Sequence, residues 1–389
     1  MDLIIIGGGA AGIFAAINFA ETYPRKKALI LEQSQQVLSK VKISGGGRCN
    51  VTHSCFDPRQ LVQNYPRGNQ ELLGPFSRFQ PSDIVNWFES RGVPLKTEAD
   101  GRMFPKTNQS QTIIDCLLKA ATDAGVVIQK GAKVVDVDMG FKIYLKSGET
   151  LTAKKIMIAT GSSRFGYDLV QKLGHTVINP VPSLFTFNIP NSPFHKLTGV
   201  SVDDAIVTLP ELKMSQKAPL LITHWGFSGP AVLKLSAWAA RELHELSYNT
   251  PVMIDWCPNG IEFPKESSKS IFNEPIKYLP KKLWATLLTL SKIDGNKKWQ
   301  QISRKQRVCL QQNIKQTLVT MSGKTTFKQE FVTCGGVKLS EVNFKTMESK
   351  LVPNLYFGGE VLDIDGVTGG FNFQAAWTCG WIAGNQLDS

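Results

Sequence analysis

The chain opens on four large aliphatics, Leu3 to Ile6, followed at once by glycines. An unbroken apolar run of this length fits a strand buried on both faces of a parallel sheet. Apolar positions then recur through Ile13, Ala16, Ile17 and Ala20, the period of a helix. A second aliphatic run, Ala28-Leu29-Ile30-Leu31, ends on Glu32. Further along, residues 113–124 read as an amphipathic helix and 126–128 as a strand. Residues 133–137 and 142–145 alternate like a small β-meander. Residues 156–161 read as another buried strand, closing on a Thr-Gly turn, and 354–360 as a strand closing on an acid. A glycine-rich stretch, 366–374, then leads into an apolar helix. The N-terminal apolar stretch is no signal peptide: Asp2 stands where a basic region belongs, three glycines interrupt the run, and it is too short to span a bilayer.

The turn between the first strand and helix carries the chemistry. Gly7, Gly9 and Gly12 fill the G-x-G-x-x-G template around Ala10 and Ala11. In that template the first glycine permits the tight turn. The second lets backbone approach a pyrophosphate, and the third lets helix pack on strand. The N–H groups of the helix start then face the phosphates. Glu32, with Gln33 beside it, lies twenty residues past Gly12, where a carboxylate receives ribose hydroxyls and repels a 2′-phosphate. The expected fold class is therefore α/β with a Rossmann-like dinucleotide-binding domain.

Composition adds three constraints. At 389 residues the chain has room for two or three domains, with no internal repeat or low-complexity tract. The net charge is +12, and between Gly260 and Lys328 there are 14 Lys/Arg against 4 Asp/Glu, so nearly all the excess sits in one stretch. A basic stretch is either a solvated face or a surface for a phosphate-rich partner. The seven cysteines are scattered without a CxxC pair, which points away from a disulfide framework and towards a reducing cytoplasm.

Several strings resemble one family throughout the chain. They are Gly7 to Gly12, Ser44-Gly45-Gly46-Gly47-Arg48-Cys49-Asn50, Gly101-Arg102-Met103-Phe104-Pro105, Thr223-His224-Trp225-Gly226-Phe227-Ser228-Gly229-Pro230, Thr333-Cys334-Gly335-Gly336-Val337, and the run from Glu360 to Gln374. Together they resemble the YhiN/BaiN-like NAD(P)/FAD-dependent oxidoreductases, within the two-dinucleotide-binding-domain flavoproteins. The resemblance implies non-covalent FAD. It places Gly7 to Gly12 on the pyrophosphate, Glu32 on the ribose and Val134 by the adenine. Ala159, Thr160, Gly161 and Gly359 line the same site. Gly45, Gly46, Arg48 and Asn50 approach the flavin, Glu360 stands where many relatives carry an Asp facing the ribityl chain, and Gly370, Phe371 and Asn372 face the pyrimidine. It also implies a discontinuous FAD domain, residues 1–188 and 348–389. A β-rich, barrel-like insert (189–262 and 323–347, resuming along 327–339) is interrupted by a basic helical subdomain, 263–322.

Other motifs fall away. Cys49, His53 and Cys55 supply too few ligands for a metal, so none is expected. Ser322-Gly323-Lys324-Thr325 lacks the upstream glycine of a P-loop, since Leu318 stands there, and in Gly226-Phe227-Ser228-Gly229 the second glycine comes too soon for a nucleophile elbow. His175, His195 and His244 read as structural. The catalytic candidates are Arg48, Arg102, His224 and Cys49: the arginines for an anionic substrate or the flavin edge, His224 as a proton donor, Cys49 as a thiol or acid. The hydride chemistry itself belongs to the flavin.

The family implies reduction of conjugated C=C bonds, amine oxidation, or reduction of uridine to dihydrouridine in ribosomal RNA. The leading expectation is an FAD-dependent C=C reductase. Ribosomal RNA is the alternative, favoured by Lys281, Lys282, Lys297, Lys298, Arg304, Lys305 and Arg307 with Trp284 and Trp299 interleaved. A non-catalytic flavin-binding scaffold is the reading from another class. No second nucleotide fingerprint appears, which leaves NAD(P)H open as electron donor; no membrane partner is expected, and oligomeric state is not indicated.

Overall fold

In the computed structural model, which describes residues 1–264, 267–325 and 332–386, the expected strand, turn and helix form as read from the sequence. Leu3–Ile6 (β1) leads into Ala10–Thr22 (α1) and Ala28–Glu32 (β2), and Ser39–Gly47 (α2) precedes the short strand Thr52–His53 (β3). Then follow Leu95–Thr97 (β4), Arg102–Pro105 (β5), Val127–Lys130 (β6), Val134–Val137 (β7), Lys142–Leu145 (β8), Thr150–Thr152 (β9) and Lys155–Ile158 (β10). Strand β1 lies at the centre of a parallel sheet, between β10 and β2, with β6 outside β2. Leu355–Phe357 joins β10 in parallel, so the C-terminal segment completes the sheet that the N-terminus begins. All four side chains of β1 are buried, as a strand covered on both faces requires.

The C-terminal helix Phe371–Gln386 packs along α1. Small residues make the close approach possible: a Cβ on Gly380 would lie 2.7 Å from the Ala11 carbonyl oxygen, and one on Gly384 2.6 Å from that of Ala15. Aromatic side chains fill the space beside this contact. Phe14 meets Trp87 edge-on at 5.0 Å and Trp377 at 5.6 Å between centroids. Each such pair contributes about 0.5–1.5 kcal/mol beyond area burial. Two small antiparallel sheets flank this core, β7-β8-β9 as the expected meander and β3-β5-β4.

The described residues divide into two units, Met1–Val181 with Lys328–Ser389, and Pro182–Phe327. In the second unit the long strands alternate buried and outward positions with period two, as Thr250, Val252 and Ile254 do. Its seven-stranded antiparallel sheet ends on Thr317–Ser322 at one edge and Lys324–Thr325 at the other. Only Gly323, at φ +90°, separates those two strands, so one bend joins both edges and the sheet closes as a barrel does.

Three expectations change. The chain returns to the first unit earlier than residue 348: Val332–Val337 pairs with Val177–Ser183, and Val342–Asn343 and Glu348–Ser349 extend the parallel sheet. The start of the expected resumption, residues 327–331, lies outside the described residues. The basic helical segment is no separate subdomain, because Trp284, Leu287 and Leu310 share one apolar core with Val207, Leu220 and Trp256 of the barrel. Trp284 and Trp299 are fully buried in that core, with the Trp284 indole N–H donating to the Ile271 carbonyl at 2.9 Å. They offer no stacking surface. Large aromatics interleaved with cations at these spacings are simply the inner face of a helical segment.

Candidate functional site

The glycine turn has the shape its chemistry needs. Gly7 adopts φ +115°, and a Cβ there would lie 2.4 Å from the Ala159 carbonyl oxygen. A Cβ on Gly12 would lie 2.2 Å from the Gly7 oxygen, so this glycine sets the closeness of α1 to β1. A Cβ on Gly9 would meet nothing within 4 Å. Gly9 thus presents bare backbone to open space at the start of α1, the arrangement that receives a pyrophosphate.

Beside the turn lies a cleft of about 380 Å³, counting its open mouth, lined among others by Gly7, Glu32, Gln33, Val134, Thr160 and Ser163. Glu32 is held by backbone there. One carboxylate oxygen accepts the Gly8 N–H at 2.9 Å and the other accepts the Ser34 N–H at 2.8 Å. Each oxygen keeps a lone pair for a ligand hydroxyl. Val134 supplies an apolar wall from β7, and the Thr160 hydroxyl is buried without a hydrogen-bond partner among the described residues. A cradle without side chains, a carboxylate, an apolar wall and an orphaned hydroxyl fit the adenosine diphosphate half of FAD.

The second glycine string forms the end of α2. Ser44, Gly45 and Gly46 leave the helical conformation, and Gly45, Gly46 and Gly47 take φ of +58°, +67° and +82°. Cβ atoms at Gly46 and Gly47 would meet nothing within 4 Å, whereas Gly45 rests against the Phe104 ring. Arg48 folds over that ring at 3.9 Å and its guanidinium pairs with Glu98 at 2.6 Å. Arg102 pairs with the other Glu98 oxygen at 3.2 Å and with Asp100 at 2.7 Å. The two arginines are therefore brought together by one carboxylate, which the sequence reading did not single out. Glu98 belongs to no glycine string; it lies four residues before Arg102, across the turn between β4 and β5, and Arg48 reaches it from the end of α2.

Asn50 reaches across to the C-terminal segment. With its amide oriented to satisfy both groups, it accepts the Gly370 N–H at 2.9 Å and donates to the Thr52 carbonyl at 3.0 Å. Gly370, at φ +94°, has no room for a side chain: a Cβ would lie 2.6 Å from the Thr52 oxygen. The Phe371 carbonyl accepts the Tyr65 hydroxyl at 2.6 Å, and the Phe371 ring stacks on His53 at 4.7 Å. Asn372 clasps Gly366 through both amide atoms, at 2.8 and 2.9 Å. Gly161 and Gly359 take φ of +61° and +77°, and Glu360 pairs with Lys40. Ala10 and Ala11 form the first turn of α1, and Ala159, just past the end of β10, lies against the glycine turn.

Two catalytic candidates read differently in three dimensions. Cys49 is fully buried, at φ +62°, and burial pushes its thiol up to about 12. At that value it stands as a thiol, not a thiolate, at neutral pH. His224 is exposed, at the tip of a tight turn held by Thr223 and Gly226, with its ring 4.0 Å from Trp225. It is therefore no core histidine. It belongs to the second unit, whereas Arg48 and Arg102 belong to the first. No group of three or more metal-ligating side chains exists among the described residues.

The parallel sheet, the glycine turn, Glu32 and the cleft define a flavoprotein oxidoreductase that uses FAD. The model of the HI0933-like protein Rossmann domain matches residues 1–386, and the chain belongs to that family. It is 30% identical to a 3-dehydro-bile acid delta(4,6)-reductase of Clostridium scindens, covering 98% of this chain and 97% of that one. It is 29% identical to a ribosomal RNA dihydrouridine synthase of Escherichia coli, covering 99% and 98%. Among solved structures, a 3-ketosteroid-delta4-(5alpha)-dehydrogenase of Rhodococcus jostii matches with a TM-score of 0.53 at 13% identity, over 100% of this chain and 96% of that one. That last likeness is one of fold.

Proposed function

We propose that this enzyme reduces a C=C bond conjugated to a carbonyl group. The carrying observation is the near full-length likeness to two relatives whose named products differ but whose chemistry is one: saturation of such a bond, in a bile acid and in uridine. Bound FAD supplies the hydride. Gly7, Gly9, Ala10, Ala11 and Gly12 hold its pyrophosphate. Glu32 and Gln33 take the ribose, and Val134, Ala159 and Thr160 line the adenosine. Gly45, Gly46 and Asn50 shape the wall for the ring system, while Gly161, Gly359 and Glu360 meet the ribityl chain. Phe371 and Asn372, at the start of an apolar helix, set N–H dipoles towards the pyrimidine edge, where negative charge develops on reduction, and Gly370, its own N–H taken by Asn50, brings side-chain-free backbone there. Arg48 and Arg102 orient the substrate's carbonyl or an anionic group. Cys49 carries no such role.

A second reading, uridine in ribosomal RNA, is favoured by a specific feature. Helices Lys281–Leu290 and Arg304–Lys315 have no acidic residue in their first turns, and place cations there instead. Cations at a helix N-terminus oppose the helix dipole, so folding alone does not favour them. The Gln306 amide donates to the Lys292 carbonyl at 2.9 Å, which ties the second helix start to the end of the first. Lys292, Lys297, Lys298, Arg304 and Lys305 are all exposed there, without ion-pair partners among the described residues. A phosphate backbone is the ligand such a surface suits. A cytoplasmic setting agrees with seven scattered cysteines that form no CxxC pair, and no described helix is long and apolar enough to cross a membrane.

The test is to reduce the flavoprotein anaerobically, with dithionite or NAD(P)H, and follow reoxidation of the flavin absorbance by candidate acceptors. An enone steroid or ribosomal RNA that reoxidises it in a single turnover, with two hydrogens gained by mass, supports C=C reduction. Reoxidation by neither, with turnover of amines by the oxidised protein, would overturn it.

A further inference from the structure

We propose that Lys40 is the counter-charge of the FAD site, neutralising Glu360 so that the pyrophosphate can approach the glycine turn. The Lys40 ammonium pairs with the Glu360 carboxylate and also donates to the Ser162 hydroxyl at 3.4 Å. Both partners are anchored at the turn, from opposite sides. The Leu38 N–H, two residues before Lys40, donates to the Gly8 carbonyl at 2.8 Å. Gly359, one residue before Glu360, sits so close to α1 that a Cβ on it would lie 3.1 Å from the Ala11 Cβ. The ion pair therefore straddles the start of α1, and Glu360 comes within 3.8 Å of where a Gly161 Cβ would stand.

Charge balance gives the pair its purpose. The first turn of α1 is Ala10-Ala11-Gly12-Ile13 and brings no charged side chain. Two carboxylates, Glu32 and Glu360, flank that turn. FAD adds one negative charge on each of two phosphates. Like charges this close repel strongly in a half-buried site, because field lines pass through low-dielectric protein. Partial positive charge at one helix start does not offset that load. Lys40 does, and it leaves the second lone pair of each Glu360 oxygen for a hydroxyl. Lys40 is a positioning residue in this scheme: it acts through Glu360, and needs no particular substrate.

Titration of the full-length, deflavinated protein with FAD, followed by flavin fluorescence, tests this. Lys40→Met is expected to raise Kd about tenfold, the scale of one uncompensated like charge near the ligand. Lys40→Arg keeps the charge and is expected to retain affinity. The decisive variant is Lys40→Met with Glu360→Gln, which removes the repulsion and is expected to recover most of the loss. Lys40→Gln serves as a second neutral replacement should Lys40→Met fold poorly. Unchanged affinity in the single neutral variants, or a loss that the Glu360→Gln background does not relieve, would overturn the assignment.

Discussion

Glu32 shows how one side chain serves fold and ligand together. Its two oxygens hold the backbone N–H groups of Gly8 and Ser34, fixing the glycine turn against the end of β2. Glu32 also lines the cleft. With Glu32 on the ribose as proposed, Glu32→Ala removes a charged hydrogen bond and loosens the turn at once. FAD affinity is expected to fall by roughly 1–3 kcal/mol, the scale of such a bond. Titration of the stripped variant measures it, and an unchanged Kd would place the ribose elsewhere. Arg48 is a different case, since it already rests on Phe104 and Glu98. Arg48→Ala is expected to keep FAD bound but lose turnover. Full turnover with FAD content intact would remove Arg48 from the substrate's contacts.

At the level of elements, the loop before the C-terminal helix is held by a buried ion pair. Asp365 has no exposed side-chain surface, and both its oxygens accept from Arg67, one at 2.6 Å. Breaking such a pair strands a buried charge, which costs about 3–5 kcal/mol. Asp365→Asn is expected to lower stability on that scale in urea unfolding. A change below 1 kcal/mol would mean that water reaches the guanidinium. A second element carries a pH dependence. His175 is buried, with its Nε2 2.7 Å from the Ser349 hydroxyl, and burial lowers its pKa below the ordinary 6.5. The unfolded chain then binds a proton that the folded one refuses, so stability is full above about pH 6.5 and declines as pH falls through the depressed folded value. Unfolding midpoints at pH 7.5 and 5.5 should differ less in His175→Gln than in the wild type, and equal differences would exclude His175 as the source.

For the whole molecule, the charge distribution is the feature that function must explain. The excess lies in the second unit, on residues that fold into the barrel's own core on their apolar side. Replacing Lys297, Lys298, Arg304, Lys305 and Arg307 with Gln should leave FAD content unchanged, since FAD is held by the first unit. If these side chains neutralise phosphates, RNA affinity falls with salt at a log–log slope of about −0.7 to −0.9 per contact, and the substitutions flatten it. Deleting the gene should then remove a dihydrouridine from ribosomal RNA, read as a two-dalton loss in one fragment. Salt-insensitive binding and an unchanged modification map would leave a small-molecule enone as the substrate.

The FAD half of the first unit was written in local sequence. Glycine identity at positions 7, 9 and 12, an aliphatic run before them and Glu32 after β2 are each dictated by backbone sterics or charge within a few residues, so they survive reading in one dimension. The meander, the terminal strand and the apolar helix were legible for the same reason, since period and turn chemistry are local. What tertiary structure alone decided are the pairings between distant segments. Lys40 meets Glu360 across 320 positions, and Arg48 meets Glu98 across 50. Neither contact leaves a trace in spacing, because it depends on how sheets and helices are stacked. Burial was equally hidden. A tryptophan between lysines looks the same in sequence whether its ring faces water or, as Trp284 and Trp299 do, a core shared with strands of the barrel. Local rules fix the shape of the glycine turn, whereas only packing fixes which charges stand beside it and which side chains remain at the surface.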